Sequence, residues 1–181
     1  MSLYWSPVLI VTADSEKSQT TPAPGVACYA IDTQQSYRYS GSAWENITRR
    51  FALQVLAANA STTTDGQTIY FGGLAGLAPS TTGGNQPIYC PCAGTIKTAY
   101  VFANAGTAGT NEAWSLYLRK NNTSDTLIAS VSASTATRTW SNTNLSIPVS
   151  QGDFIEIKST NPTWATNPAN VRFGGSLYLE V

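Results

Sequence analysis

Short runs of alternating apolar and polar residues, each closed by Gly, Asn, Ser, Thr or Pro, recur along this chain and leave little room for helices. In the clearest run Trp114, Leu116 and Leu118 face one way, while Ser115, Tyr117 and Arg119 face the other. Leu127, Ala129 and Val131 repeat the pattern, as do Leu145, Ile147 and Val149, and then Ile155 and Ile157. The last run carries Phe173, Leu177, Leu179 and Val181, with Ser176, Tyr178 and Glu180 between its later members. A period of two sends successive side chains to opposite sheet faces, so each run predicts a half-buried strand. Strands spaced this closely, without helical crossovers, predict an antiparallel sandwich or barrel.

Two parts separate along the chain. Residues 1–47 hold an apolar strand over Val8 to Val11 and a polar loop over 12–24. A hairpin follows, with 26–31 pairing back through Thr33, Gln34 and Gln35 onto 36–39, ahead of Gly41, Ser42, Ala43 and Trp44. An isolated hairpin is marginal in water, so this part is expected to pack against something else, such as another copy of itself. Residues 51–181 form the main domain, with eight or more strands expected. The segment 51–58 admits a helical turn, but Phe51, Leu53 and Val55 alternate with Ala52 and Gln54, which favours a strand.

Charge and chemistry narrow the function. Lys plus Arg equals Asp plus Glu at ten each, so no net field steers the chain to nucleic acid. There is no histidine, which removes Ser-His-Asp and Cys-His pairs within one chain. Cys28, Cys90 and Cys92 are odd in number, and the Cys90-Pro91-Cys92 spacing is too tight for an ordinary bridge. A zinc site would lack its fourth ligand, so no metal and no cofactor are expected. Three reduced thiols fit assembly in a reducing compartment. No apolar run reaches the roughly 20 residues that a membrane-spanning helix needs. Asp153 and Glu156 are the nearest carboxylates in the main domain, and their odd spacing puts them on opposite faces of one strand, so no catalytic pair is expected.

The segment Gly25, Val26, Ala27, Cys28, Tyr29, Ala30, Ile31, Asp32, continuing to Tyr37, Arg38, Tyr39, Ser40, Gly41, Ser42, Ala43 and Trp44, resembles a small hairpin module of tailed-bacteriophage structural proteins. A strand ending in Asp, a short turn, an aromatic return strand and Gly-x-x-Trp make up that pattern. The later chain resembles the jelly-roll head domains of phage fibre and receptor-binding proteins. That likeness is carried by 65–72, by 94–97, by 115–121 and by 145–153. The resemblance implies an all-β chain, an antiparallel jelly-roll-like β-sandwich preceded by a small N-terminal β-hairpin module. It also implies a homotrimer held to the virion, among other virion proteins, by its N-terminal part, with a receptor site on the head.

Candidate sites follow from side-chain chemistry. A neutral glycan needs an aromatic platform with amides and hydroxyls around it, and loops on a rigid scaffold are where binding residues concentrate. The densest such cluster lies in 159–172, where Trp164 is placed to stack and Asn161, Asn167 and Arg172 to hydrogen-bond a host-surface saccharide. The competing reading has the two Asn-Pro pairs making turns and Trp164 folding over the core edge. Trp140 and the loops 105–111 and 121–125 are weaker candidates of the same kind. Tyr117, Phe154 and Tyr178 stand on the polar faces of separate strands and predict a surface buried between subunits. A virion fibre or spike that binds a glycan, a decoration or adaptor protein with no receptor, and a free carbohydrate-binding module all remain compatible with these residues.

Overall fold

Alternation decides nearly every strand of the computed structural model, which describes residues 8–181 apart from 34, 48, 49 and 75. The chain divides into two units, 1–49 and 50–181.

In the first unit four strands, β1 (Val8–Val11), β2 (Ala27–Ala30), β3 (Gln35–Tyr39) and β4 (Trp44–Asn46), form one sheet in that order. The expected hairpin is there, with Cys28 opposite Tyr37, but β1 joins β2 in parallel. A parallel partner needs a longer connection than a hairpin turn. Residues 12–24 supply it, and they include a 3-10 turn, Asp14–Gln19, that the polar run did not reveal. This turn closes one face of the sheet: Trp44 donates its indole N–H to the Lys17 carbonyl at 2.8 Å, and the Lys17 ammonium sits 4.3 Å from the Tyr37 ring centre. Val11, Cys28, Ala30 and Tyr37 make the small core beneath it. Val8, Ile10 and Tyr29 alternate onto the other face, where they are exposed.

The described residues of the second unit carry ten strands: β5 (Arg50–Thr62), β6 (Thr68–Phe71), β7 (Ile88–Tyr89), β8 (Gly94–Asn104), β9 (Ala113–Lys120), β10 (Ser124–Ser132), β11 (Thr137–Asn142), β12 (Ile147–Val149), β13 (Phe154–Thr160) and β14 (Ala169–Glu180). β6 and β7 pair successive stretches of β13 and act as one strand interrupted by residues 72–87. β11 and β12 pair β8 in the same way, around 143–146. Counting each interrupted strand once leaves eight, arranged as β11-β8-β14-β5 and β10-β9-β13-β6, with antiparallel ladders throughout. In chain order these sheets read 1-8-3-6 and 2-7-4-5, the double Greek key of a jelly roll. The segment 51–58 is strand, as its alternation predicts.

Both sheets contribute to one core built around Trp114. Phe71 stacks on Phe173 with ring centres 4.4 Å apart, joining one sheet to the other. Arg138, on the inward side of β11, is buried and donates to the carbonyls of Ser132, Ala133 and Ala136. Burial pushes its pKa down. One alternation reads wrongly from sequence. A bulge between Leu127 and Ala129 shifts the register of β10, so Ile128 is buried while Leu127 is 46% exposed. The β9–β10 hairpin turns through Asn121, Asn122 and Thr123, with Asn121 and Asn122 at φ of 48° and 56°, a left-handed conformation that asparagine tolerates.

Asp153 closes the turn before β13. Its carboxylate accepts the Asn121 amide at 2.8 Å and the Ser150 N–H at 2.8 Å, and lies 2.9 Å from the Lys120 ammonium. The Asn121 bond, then the Ser150 and Lys120 bonds, hold its pKa down to about 2 from 3.8. A depressed folded value means that this turn's contribution is complete above the unfolded value and lost as pH falls toward about 2. An NMR titration of the Asp153 carboxyl checks this: a midpoint near 4 rather than near 2 contradicts it.

Candidate functional site

The outer face of the β11-β8-β14-β5 sheet carries an open groove. β8 reverses the usual pattern of a surface strand: Ala99, Val101 and Ala103 point inward, and Tyr100 and Phe102 point out at 41% and 47% exposure. Across the ladder Phe102 meets Gly174 on β14 and Thr139 on β11. Tyr100 meets Ser176 and Ser141, and Ser176 in turn meets Gln54 on β5. Tyr178, one pleat further along β14, adds a third exposed ring. A bulge at Phe173/Gly175 sets the floor. A Cβ on Gly174 would lie 2.8 Å from the tip of the Phe102 ring, and one on Gly175 would lie 2.1 Å from the Tyr100 carbonyl oxygen. Glycine at both positions lets β8 and its ring settle onto β14. The result is an open groove of about 570 Å³ lined by ten residues, with no charged side chain among them.

The opposite outer face is built differently. Arg119 donates to Asp125 at 2.6 Å and to Asn122, and the Lys158 ammonium lies 2.6 Å from the second Asp125 oxygen and over the Tyr117 ring. Burial would raise the Asp125 pKa, but the Lys158 and Arg119 bonds outweigh it and hold it below the ordinary value. These polar groups satisfy one another. Glu156 lies on the same face yet is fully buried, and the N–H groups of Gly84 and Gln86, in the segment 76–87, donate to its carboxylate at 2.6 and 2.7 Å.

The expected glycan loop is not an open site. Trp164 is 4% exposed and packs edge-on against Trp114, 5.4 Å between centres, so it offers no face to a sugar. Asn161 is buried, accepts the Trp114 indole N–H at 3.1 Å and donates to the Thr64 carbonyl. Asn167 donates to the Thr63 carbonyl and to Asp65, which also accepts the Trp164 N–H. These three side chains tie the 159–172 segment to the core edge, the competing reading of the same residues. Arg172 stands apart from them: exposed on β14, it faces Asn104 one pleat beyond the Phe102–Gly174 pair. Trp140 is likewise fully buried, and its indole N–H donates to the Trp114 carbonyl.

The expected subunit surface is also divided. Tyr117 and Phe154 lie on the β10-β9-β13-β6 sheet, Phe154 beside Tyr89, whereas Tyr178 lies on the other sheet. The three do not make one surface. Asp153 precedes β13 and is held by Asn121, Ser150 and Lys120, whereas Glu156 lies on β13 and accepts the Gly84 and Gln86 N–H groups. Among the described residues no cluster of His, Cys, Asp and Glu is placed to hold a metal ion, and Cys28, Cys90 and Cys92 are free. Burial raises the thiol pKa of Cys28 and of Cys90. No described helix is long and apolar enough to cross a membrane.

Sequence reasoning passed over the groove, although 98–104 carries its signal. A strand with Ala and Val on one side and Tyr and Phe on the other has its large rings on the face that a core-first reading assigns to solvent.

No family model matches the chain, and no curated protein matches it. Among solved structures, a chain from the structure of infectious bursal disease virus Gx strain is similar at a TM-score of 0.39 and 9% identity. The match covers 81% of this chain and 38% of that one, so this chain spans well under half of the viral chain's length. The jelly-roll assignment rests on strand order and not on this likeness.

Proposed function

We propose that the chain is a virion structural protein, a fibre or spike component of a tailed bacteriophage whose jelly-roll unit contacts a host-surface glycan. The observation that carries this reading is the eight-strand jelly-roll order of residues 50–181, following a separate small β-sheet unit. The Gly-x-x-Trp hairpin resemblance of the first unit supports it, and so does a neutral, hydroxyl-rich surface suited to contact with uncharged partners. The role is binding and assembly rather than catalysis. The expected state is a homotrimer assembled in the host cytoplasm, in which weak single sites gain from multivalency.

A capsid or tail decoration role is the second reading, favoured by the exposed Val8, Ile10 and Tyr29 face, which suits docking on another virion protein. One experiment tests the shared premise. Antibody against residues 50–181 is expected to label intact particles made from the genome that encodes the chain. Purified particles lacking the chain sink both readings. Light scattering at micromolar concentration is expected to give about three times 19.2 kDa, and a monomer removes the trimer.

A further inference from the structure

We propose that the outer-face groove of the β11-β8-β14-β5 sheet is a binding site for a neutral saccharide, with Phe102, Tyr100 and Tyr178 as its stacking platform. This rests on the receptor-contact reading above and moves the site from the 159–172 loop to the sheet.

Three observations select the ligand. The volume of about 570 Å³ lies within the range of small-ligand sites. Its walls combine aromatic rings with an amide and hydroxyls, from Gln54, Thr139 and Ser176. A sugar presents the matching pair of surfaces, a C–H face for the rings and hydroxyls for the rim. The lining itself holds no charge, which suits a neutral ligand, and Arg172 lies one pleat beyond it on β14.

The rim is free to bond a ligand. Elsewhere on this unit short polar side chains engage one another, as Ser115 does with Ser130 at 2.9 Å and Asn104 with Thr137 at 3.0 Å. The side chains of Gln54, Thr139 and Ser176 have no such partner among the described residues. A second copy of the chain fits less well. Ten residues line the groove, whereas a stable protein interface engages roughly 20–30 residues a side. The rings also sit on strands rather than loops, so their spacing is fixed before the ligand arrives and little ordering cost is added on binding.

Affinity electrophoresis of the full chain in gels containing dextran, galactomannan or xyloglucan, with polygalacturonate as the anionic arm, tests the site. At least one neutral polysaccharide is expected to retard it. Phe102→Ala and Tyr178→Ala are each expected to lower association by about tenfold, near the upper end of one lost ring contact. Tyr89→Ala removes a ring that is 64% exposed on the other sheet and is expected to change nothing. Gly174→Ala displaces the Phe102 ring without removing it and is expected to weaken binding as well. Four results overturn the proposal: no retardation by any neutral polysaccharide, retardation by polygalacturonate alone, binding unchanged in both ring variants, or a change of oligomeric state in Phe102→Ala by light scattering. Particles that carry the chain without retardation sink the site and spare the virion reading. Retardation by a chain absent from particles does the reverse.

Discussion

Trp114→Ala is expected to destabilise the jelly-roll unit by about 3–5 kcal/mol, the range for truncating a large buried aromatic side chain. Trp114 is fully buried on β9 and is the hub of the core. Trp140, Trp164 and Phe173 meet it edge-on, at ring-centre distances of 5.1, 5.4 and 5.7 Å, and the Arg138 guanidinium lies 5.8 Å from its ring centre. Its indole N–H donates to Ser159 at 2.7 Å and to Asn161 at 3.1 Å, two buried side chains on the neighbouring strand β13 and on the segment after it. Truncation therefore opens a cavity between the sheets and takes a donor from two buried acceptors. Trp114→Phe keeps most of the volume and loses only the donor, so a smaller cost of about 1–3 kcal/mol is expected. Native domains hold about 5–15 kcal/mol in all, so the alanine variant approaches the limit of folding. Urea unfolding followed by far-ultraviolet circular dichroism measures both variants. A loss under about 1 kcal/mol in Trp114→Ala would contradict the hub role.

That hub explains what the sequence told and what it withheld. Trp114, Leu116 and Leu118 are legible as an inward set because their alternation runs unbroken through β9. Ala129 and Val131 keep the inward face that the same look predicts, opposite Leu116 and Trp114, but one bulge residue turns Leu127 outward and Ile128 inward, and a bulge leaves no mark when its neighbours are all strand formers. Trp164 shows the same limit at the level of function. A tryptophan between two Asn-Pro turns reads equally as a sugar platform or a core lid. The choice is made by Asp65 and Trp114, each some fifty to one hundred residues away in the chain. The groove was hidden for a related reason. Tyr100 and Phe102 are adjacent on one face by alternation alone, but Tyr178, Ser176 and Gln54 join them only through the pairing of β5, β14 and β8. Long-range register of that kind is not written in local periodicity.

Glu156 gives the second large effect. Its side chain is on the outward face of β13, where an acidic residue is ordinarily solvated, yet it is fully buried. An ionised carboxylate removed from water is costly unless its oxygens are bonded. Here each oxygen accepts one backbone N–H, from Gly84 at 2.6 Å and from Gln86 at 2.7 Å, short bonds of the charge-assisted kind. The carboxylate thereby pins the segment 76–87, between β6 and β7, across the outer face of the sheet. Gln86 extends the clamp by donating its side-chain amide to the Ala78 carbonyl at 2.7 Å. Glu156→Gln replaces one acceptor oxygen with an NH2 group, so one backbone N–H then faces a donor. The expected cost is roughly 1–3 kcal/mol for that unsatisfied group. Glu156→Leu leaves both N–H groups without an acceptor, and roughly 2–5 kcal/mol is expected. The loss should fall first on the segment and not on the core, since Ile155 and Ile157 keep their inward contacts. Hydrogen exchange is the direct readout: the Gly84 and Gln86 amides should lose protection in Glu156→Leu while those of β9 and β14 retain it. Protection that survives in Glu156→Leu would mean that the Gln86–Ala78 bond and the Tyr70–Ser80 bridge hold the segment without the carboxylate.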